Sequence, residues 1–310
     1  MVSQVTQVGA VSPRPSTIEA AVVAAQLAAL TDGTVRYVNS GAQGNGNGRT
    51  PAGALRTIDA AINASAAGDT IIVLEGHAET VANATTIVPD VAGLTIIGMG
   101  RGARRPTITF SHADGNIPIT AAGVSFKNFL FTTTGTIDVT AGITVTAVDV
   151  VLEDLEVRES ATTSQIIDFI VAAATSARLR VSGLRYLGLA GDAGASAVSV
   201  TGAVDGIIVE DFNIDGTLSA AGIENVTGVC TNIVIRNGII RNRHSTTDAC
   251  VTLVATSTGW VNDVYGRTAT NDADGFNNAF VGAAAQFFNV LVVNADNEGG
   301  GAPKTASAAA

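Results

Sequence analysis

Glu153 and Glu210 are the two carboxylates whose setting in the sequence could do chemistry together. Each directly precedes a turn residue, Asp154 or Asp211, inside the same recurring frame of alternating apolar residues. Along the chain the position before the turn reads Lys127, Glu153, Ser182, Glu210, Arg236, Asn262. Alternate side chains of a strand leave by opposite faces, so when the apolar positions point inward this column points outward. Two layers of strands separate Glu153 from Glu210, about 9.6 Å at the usual strand spacing. That distance suits an inverting glycoside hydrolase, in which one carboxyl protonates the leaving group and the other activates water. The same column also reads as a solvated ladder. Lys127 and Arg236 favour that reading, because interspersed charges of both signs keep a surface soluble.

Asp272 and Asp274 offer a second source of acid and base. Their segment, Asn271-Asp-Ala-Asp-Gly275, resembles the start of a calcium loop but lacks the later ligands and the closing glutamate, so a turn built on Asp and Gly is the simpler expectation. Arg101, Arg104 and Arg105 form the basic cluster, read as a loop between strands. His77, His112 and His244 show no spacing typical of a zinc site, and no Gly-x-Ser-x-Gly elbow is present. The glycine-rich run from Ser40 to Gly48 is followed by Arg49-Thr50-Pro51, not by the Lys-Ser/Thr pair that a phosphate-binding loop uses. No cofactor or metal is expected. One tryptophan, Trp260, and three tyrosines are few platforms for a sugar groove.

The elements that must position these groups repeat. Ile207 to Ile214 runs apolar, any, apolar, any, turn, apolar, any, apolar, with Asp211 at the turn. Equivalent turn positions are Gly98, Asn128, Asp154, Gly183, Asp211, Asn237, Asp263 and Asn289, at spacings of 30, 26, 29, 28, 26, 26 and 26 residues. All are Gly, Asn or Asp, the residues that enter the left-handed backbone region at low cost, so one residue can bend the chain between two short strands. A period of 20–50 residues marks a stacked repeat, and period-2 strands with almost no helix between them make it an all-β solenoid. About nine coils at strand spacing give a rod of roughly 43 Å. Each coil cannot bury its apolar face alone, so stacking supplies the core.

Composition fits narrow stacked coils: 34 glycines, 5% aromatics and 14% charged residues in 310. With 17 Lys+Arg against 27 Asp+Glu, the net charge of −10 argues against a nucleic-acid or anionic-membrane partner. Cys230 and Cys250 are expected to be free buried thiols. The first residues lack the basic and apolar regions of a signal peptide, and no apolar run is long enough for a bilayer. Residues 1–15 read as an extended arm. Ser16-Thr-Ile-Glu19 is a capping box ahead of an almost uncharged helix to Leu30, expected either under the end of the solenoid or against another subunit. A second, amphipathic helix from Ala54 to Ser65 is the expected cap of the open end.

Tyr37-Val-Asn-Ser40, the Gly/Asn loop, Thr50-Pro51, Leu55-Arg-Thr-Ile-Asp-Ala-Ala-Ile62, Gly68-Asp-Thr-Ile-Ile-Val-Leu74 and Leu94-Thr-Ile-Ile-Gly98 resemble the opening of pectin-lyase-like right-handed parallel β-helices. Gly76-His77-Ala78-Glu79-Thr80 resembles a variant of that opening associated with phage virion proteins. The resemblance covers residues 35–110 and implies the right-handed fold with an N-terminal helical cap. It implies a reaction only weakly, because the fold hosts lyases, hydrolases, adhesins and plain virion parts. The expected divisions are 1–34, arm and helix serving as anchor; 35–68, strand, loop and capping helix; 69–297, the β-helix; and 298–310, a flexible tail. The expected function is a non-enzymatic phage virion protein, a capsid decoration protein. It would act as an oligomer, a trimer by analogy, and meet a major capsid or other virion protein through residues 1–34. The alternative is a tailspike-like polysaccharide depolymerase using Glu153, Glu210, Asp272 or Asp274. A surface adhesin is a weaker third.

Overall fold

The computed structural model describes residues 33–43, 46–190, 194–247, 249–268, 279–293 and 302–303. The expected N-terminal arm and helix, and the acidic loop with Asp272 and Asp274, lie outside the described residues.

The chain winds into a parallel β-solenoid of about 8 turns. The expectation was nine. The first strand, Val35–Val38, pairs in parallel with Thr70–Val73 but leads into a loop and a helix instead of completing a coil. From there the middle coils, from Thr95 to Asn225, contribute three strands each, while the coils of Ile233–Asn242 and Gly259–Thr268 run the first two together as one. The first two, for example Val151–Glu153 and Glu156–Arg158, meet at the turn residue and join one 18-stranded sheet. The third, for example Gln165–Ala172, joins a 7-stranded sheet whose strands follow one another in chain order.

Register keeps like on like. One inward column runs Ile71, Ile96, Phe126, Leu152, Val181, Val209, Ile235, Val261, Phe287, each paired with the next coil, and each is at most 1% exposed. Burying such a side chain contributes about 1.5–3 kcal/mol. Aromatic rings fill the middle coils. Phe126 stacks on Phe129 at 4.2 Å between centroids, and Phe131 meets Phe169 edge-on at 5.1 Å. Cys230 and Cys250 are free and buried.

Seven of the eight turn residues take the left-handed conformation, from Asn128 (φ 63°) through Asp211 (φ 56°) to Asn289 (φ 47°). Their amides tie the coils: Asn128 N–H donates to Glu153 O at 2.9 Å, and Asp154 N–H to Ser182 O at 2.9 Å. Gly98 is the exception. Its coil bends two residues later, at Gly100 (φ 89°), before a 3-10 turn at Gly102–Arg104. Glycine at position 98 makes room instead, because a Cβ there would lie 2.3 Å from Asn128 O; the Asn128 side chain donates to the Gly98 carbonyl at 2.6 Å.

A second left-handed column escaped the sequence reading. Gly123, Asp149, Arg178, Gly206 and Asn232 all have φ between 55° and 77°, each five residues before a turn residue. Arg178 hides the pattern, since arginine is not a turn former. Its guanidinium holds the Asp149 carboxylate one coil back at 2.6 and 2.7 Å.

The capping helix is shorter than expected, Ile58–Asn63, with Ile58, Ala61 and Ile62 buried against the first coil. Pro51–Gly53 forms a 3-10 turn, and Leu55 bridges to Val38 as extended chain. Thr57 Oγ1 accepts from Ala60 N–H at 3.2 Å, and Glu79 Oε2 accepts from Ile58 N–H at 2.9 Å, so two orphan amides of the helix are satisfied. Glu79 is also held by His77 Nε2 at 2.9 Å, while Nδ1 of the same ring accepts from Ser40 N–H at 2.9 Å. The Gly76–Thr80 motif therefore serves the architecture. Gly76 (φ 73°) turns the chain, and His77 and Glu79 pin loop, helix and first coil together.

Candidate functional site

The outer face of the large sheet holds the carboxylates singled out in the sequence. Glu153, Ser182, Glu210 and Arg236 are in register on successive coils, so Glu153 and Glu210 do share one column, two layers apart. Each is engaged with cations of its own. Glu153 receives Lys127 Nζ at 2.8 Å. Glu210, only 3% exposed, lies between two arginines: Arg180 Nε donates to Oε1 at 2.7 Å, and Arg236 Nε and Nη2 donate to Oε2 at 2.8 and 2.5 Å. Burial pushes the Glu210 pKa up, but the hydrogen bonds and charges of Arg236 and Arg180 outweigh it and hold the carboxyl below its ordinary range. A general acid needs the opposite shift. Glu210 stays ionised with its lone pairs taken.

No family model, curated protein or solved structure matches this chain.

The Glu210 clamp recurs twice on the same face. Glu156, buried, receives Arg105 at 3.1 Å and Arg158 at 2.6 Å. Asp215 receives Arg241 at 2.8 Å and Arg243 at 2.9 Å. Three carboxylates are thus each held by two guanidiniums, which leaves a surplus of positive charge on that face. Sequence reading placed Glu210 and Arg236 in one column but missed the clamps, because Arg105 and Glu156 are 51 residues apart. Arg185 and Arg267 are exposed on the same sheet and have no carboxylate partner among the described residues. Apolar groups surface among them: Trp260 is 61% exposed, Phe288 50% and Ile239 45%.

The small sheet presents the opposite chemistry. Its seven strands contain Asp138, Asp168 and Glu224 and not one lysine or arginine. Ser196 Oγ donates to Asp168 at 2.5 Å, and Ser199 Oγ to Glu224 at 3.2 Å. Burial raises the pKa of both carboxyls, and the Asp168 charge raises Glu224 further; the serine hydroxyls offset part of this. These residues were not singled out in the sequence; the signal available was the lack of any cation in that third of each coil.

Between the two sheets, Glu159 is buried but satisfied. It accepts from Ile166 N–H at 3.1 Å, Tyr186 OH at 3.0 Å and Leu189 N–H at 2.7 Å. Burial raises its pKa and that of Tyr186, and the neighbouring carboxylate raises the phenol further. Three donors on one enclosed carboxyl make a structural knot, with no face open to substrate. Among the described residues no group of three or more His, Cys, Asp or Glu is placed to hold a metal ion.

Proposed function

We propose that this chain is a non-enzymatic virion structural protein, a capsid decoration protein that works as an oligomer and is anchored to a major capsid or other virion protein through residues 1–34. Its place is the virion, assembled in the host cytoplasm, with no nucleic-acid or membrane partner. The observation that carries this reading is the arginine clamp on Glu210. The outward carboxylate that a hydrolase would use as an acid is committed to a surface ion-pair ladder. The resemblance of Gly76–Thr80 to virion proteins supports the same reading. Immunogold labelling or a cryo-EM map of purified particles tests it: density at regular lattice positions is expected, and particles without this chain would overturn it.

A polysaccharide depolymerase is the second reading, favoured by one observation. Trp260 stands 61% exposed on the strand that carries Asn262, two residues before it, and an aromatic face beside planar polar groups suits a sugar ring. Release of reducing ends from host polysaccharide, lost in Glu153→Gln, would establish it in place of the first reading.

A further inference from the structure

We propose that copies of this chain associate face to face, the arginine-rich outer face of the large sheet docking on the acidic outer face of the small sheet of the next copy. The inference rests on the oligomer reading above and names its interface.

Cations are segregated by sheet, although the chain as a whole carries −10: every lysine and arginine of the described strands lies in the large sheet, beside Glu79, Glu153, Glu156, Glu210, Asp215 and Asp263. Every carboxylate clamp among the described residues belongs to the large sheet, as do Arg185 and Arg267, which have no carboxylate partner there. The small sheet has acids alone. The two sets keep the same interval along the stack. Arg185 and Arg267 are three coils apart, and so are Asp138 and Glu224, each acid lying two coils before its arginine. A neighbour displaced along the axis by two coils therefore sets Arg185 level with Asp138 and Arg267 level with Glu224.

The composition of the arginine face fits burial against protein. Arginine and tryptophan are the residue types that concentrate binding energy at interfaces, and Trp260, Phe288 and Ile239 supply exposed apolar area between the guanidiniums. On the other side, half-buried Asp168 and Glu224 repel one another and have serine hydroxyls as donors but no cation among the described residues. A guanidinium from a neighbour would supply the missing charge with bidentate geometry. Two different faces meeting make a heterologous contact, which closes as a ring when the rotation between copies allows it. A second copy is the occupant argued for because one chain carries both halves of the complementarity.

The test is sedimentation velocity on the full chain at low and high salt. The variants are Arg185→Glu/Arg267→Glu, Asp168→Lys/Glu224→Lys, and the four changes combined. Wild type is expected to be an oligomer that dissociates as salt rises. Each double variant is expected to lose the oligomer, and the combined variant to regain it, because reversing both faces restores their complementarity. Asp168 touches Ser196, so exposed Asp138→Lys provides an acidic-face variant with less risk to folding; it too should weaken association. An oligomer unchanged in every variant would overturn the interface and leave the oligomer reading standing. A wild-type monomer at low salt would overturn both, while particle labelling still decides the virion role.

Discussion

Arg105 and Glu156 stand 51 residues apart in the sequence and 3.1 Å apart in the fold. The pair joins a 3-10 loop to a strand two coils further on, and the Glu156 side chain is only 5% exposed. Removing Arg105 strips half the compensation from an enclosed charge, so Arg105→Ala is expected to cost about 2–3 kcal/mol. Arg158, the other partner, is half exposed, and Arg158→Ala is expected to cost about 0.5–1 kcal/mol. Urea denaturation compares them. Equal losses would show that burial does not set the value of these pairs.

The left-handed turn column predicts a ranking set by which side chains tolerate that backbone conformation. Asp211 has φ 56° and an exposed side chain. Asp211→Ala should cost about 1–2 kcal/mol, because alanine keeps the Cβ that strains this region and loses the short polar side chain that offsets the strain, whereas Asp211→Asn, which keeps such a side chain, and Asp211→Gly, which removes the Cβ, should stay within about 0.5 kcal/mol of wild type. Thermal melts give the order, and an alanine variant as stable as the glycine one would contradict it.

Two sets of carboxyls predict opposite responses to pH. Asp168 and Glu224 sit above their ordinary 3.8 and 4.5 in the fold. The folded state holds these protons more tightly than the unfolded chain. Their stabilising contribution is therefore full below the unfolded values and lost as pH rises through the folded ones. Asp168→Asn/Glu224→Gln should raise the melting temperature near neutral pH, with the gain disappearing in acid. Glu210, depressed below 4.5, contributes above that value and loses its contribution as pH falls through the folded value. Glu210→Gln should lower the melting temperature near neutral pH and converge on wild type in acid. Melting curves across the pH range would expose the same sign for both variants as a failure.

His77 bridges Ser40 and Glu79 through its two ring nitrogens. His77→Asn can restore only the acceptor and His77→Gln only the donor, so each should lose about 1–3 kcal/mol from an unmade buried hydrogen bond. In a stacked repeat the damage stays near its coil. Hydrogen exchange should quicken at the Ser40 and Ile58 amides and hold at Ile208–Glu210. Uniform quickening along the rod would mean that the junction governs the whole stack.

The repeat was legible because its signal is local: apolar alternation and a Gly, Asn or Asp at the bend lie within eight residues of one another. The column of Glu153, Ser182, Glu210 and Arg236 followed from the same counting and is found in register. What the counting missed depends on contacts made around the circumference. Arg178 occupies a left-handed corner that its residue type does not announce. Gly98 keeps the turn residue's identity without its conformation, because the early coils bend through Gly76 and Gly100. The clamps on Glu156 and Asp215 needed the lateral position of side chains on neighbouring strands. The confinement of the strand cations to one sheet is invisible to net composition, which averages the two sheets together.

The two left-handed columns keep a fixed interval of five residues from Gly123/Asn128 to Asn232/Asn237, while the coils themselves vary from 26 to 29 residues over that stretch. All the variation in length is therefore absorbed outside that short segment. It serves as a spine, and the rest of each turn is free to lengthen or shorten without disturbing its neighbours' alignment. Such a rod can exchange its surface loops one level at a time, and so acquire new partners, while its stacking is left untouched.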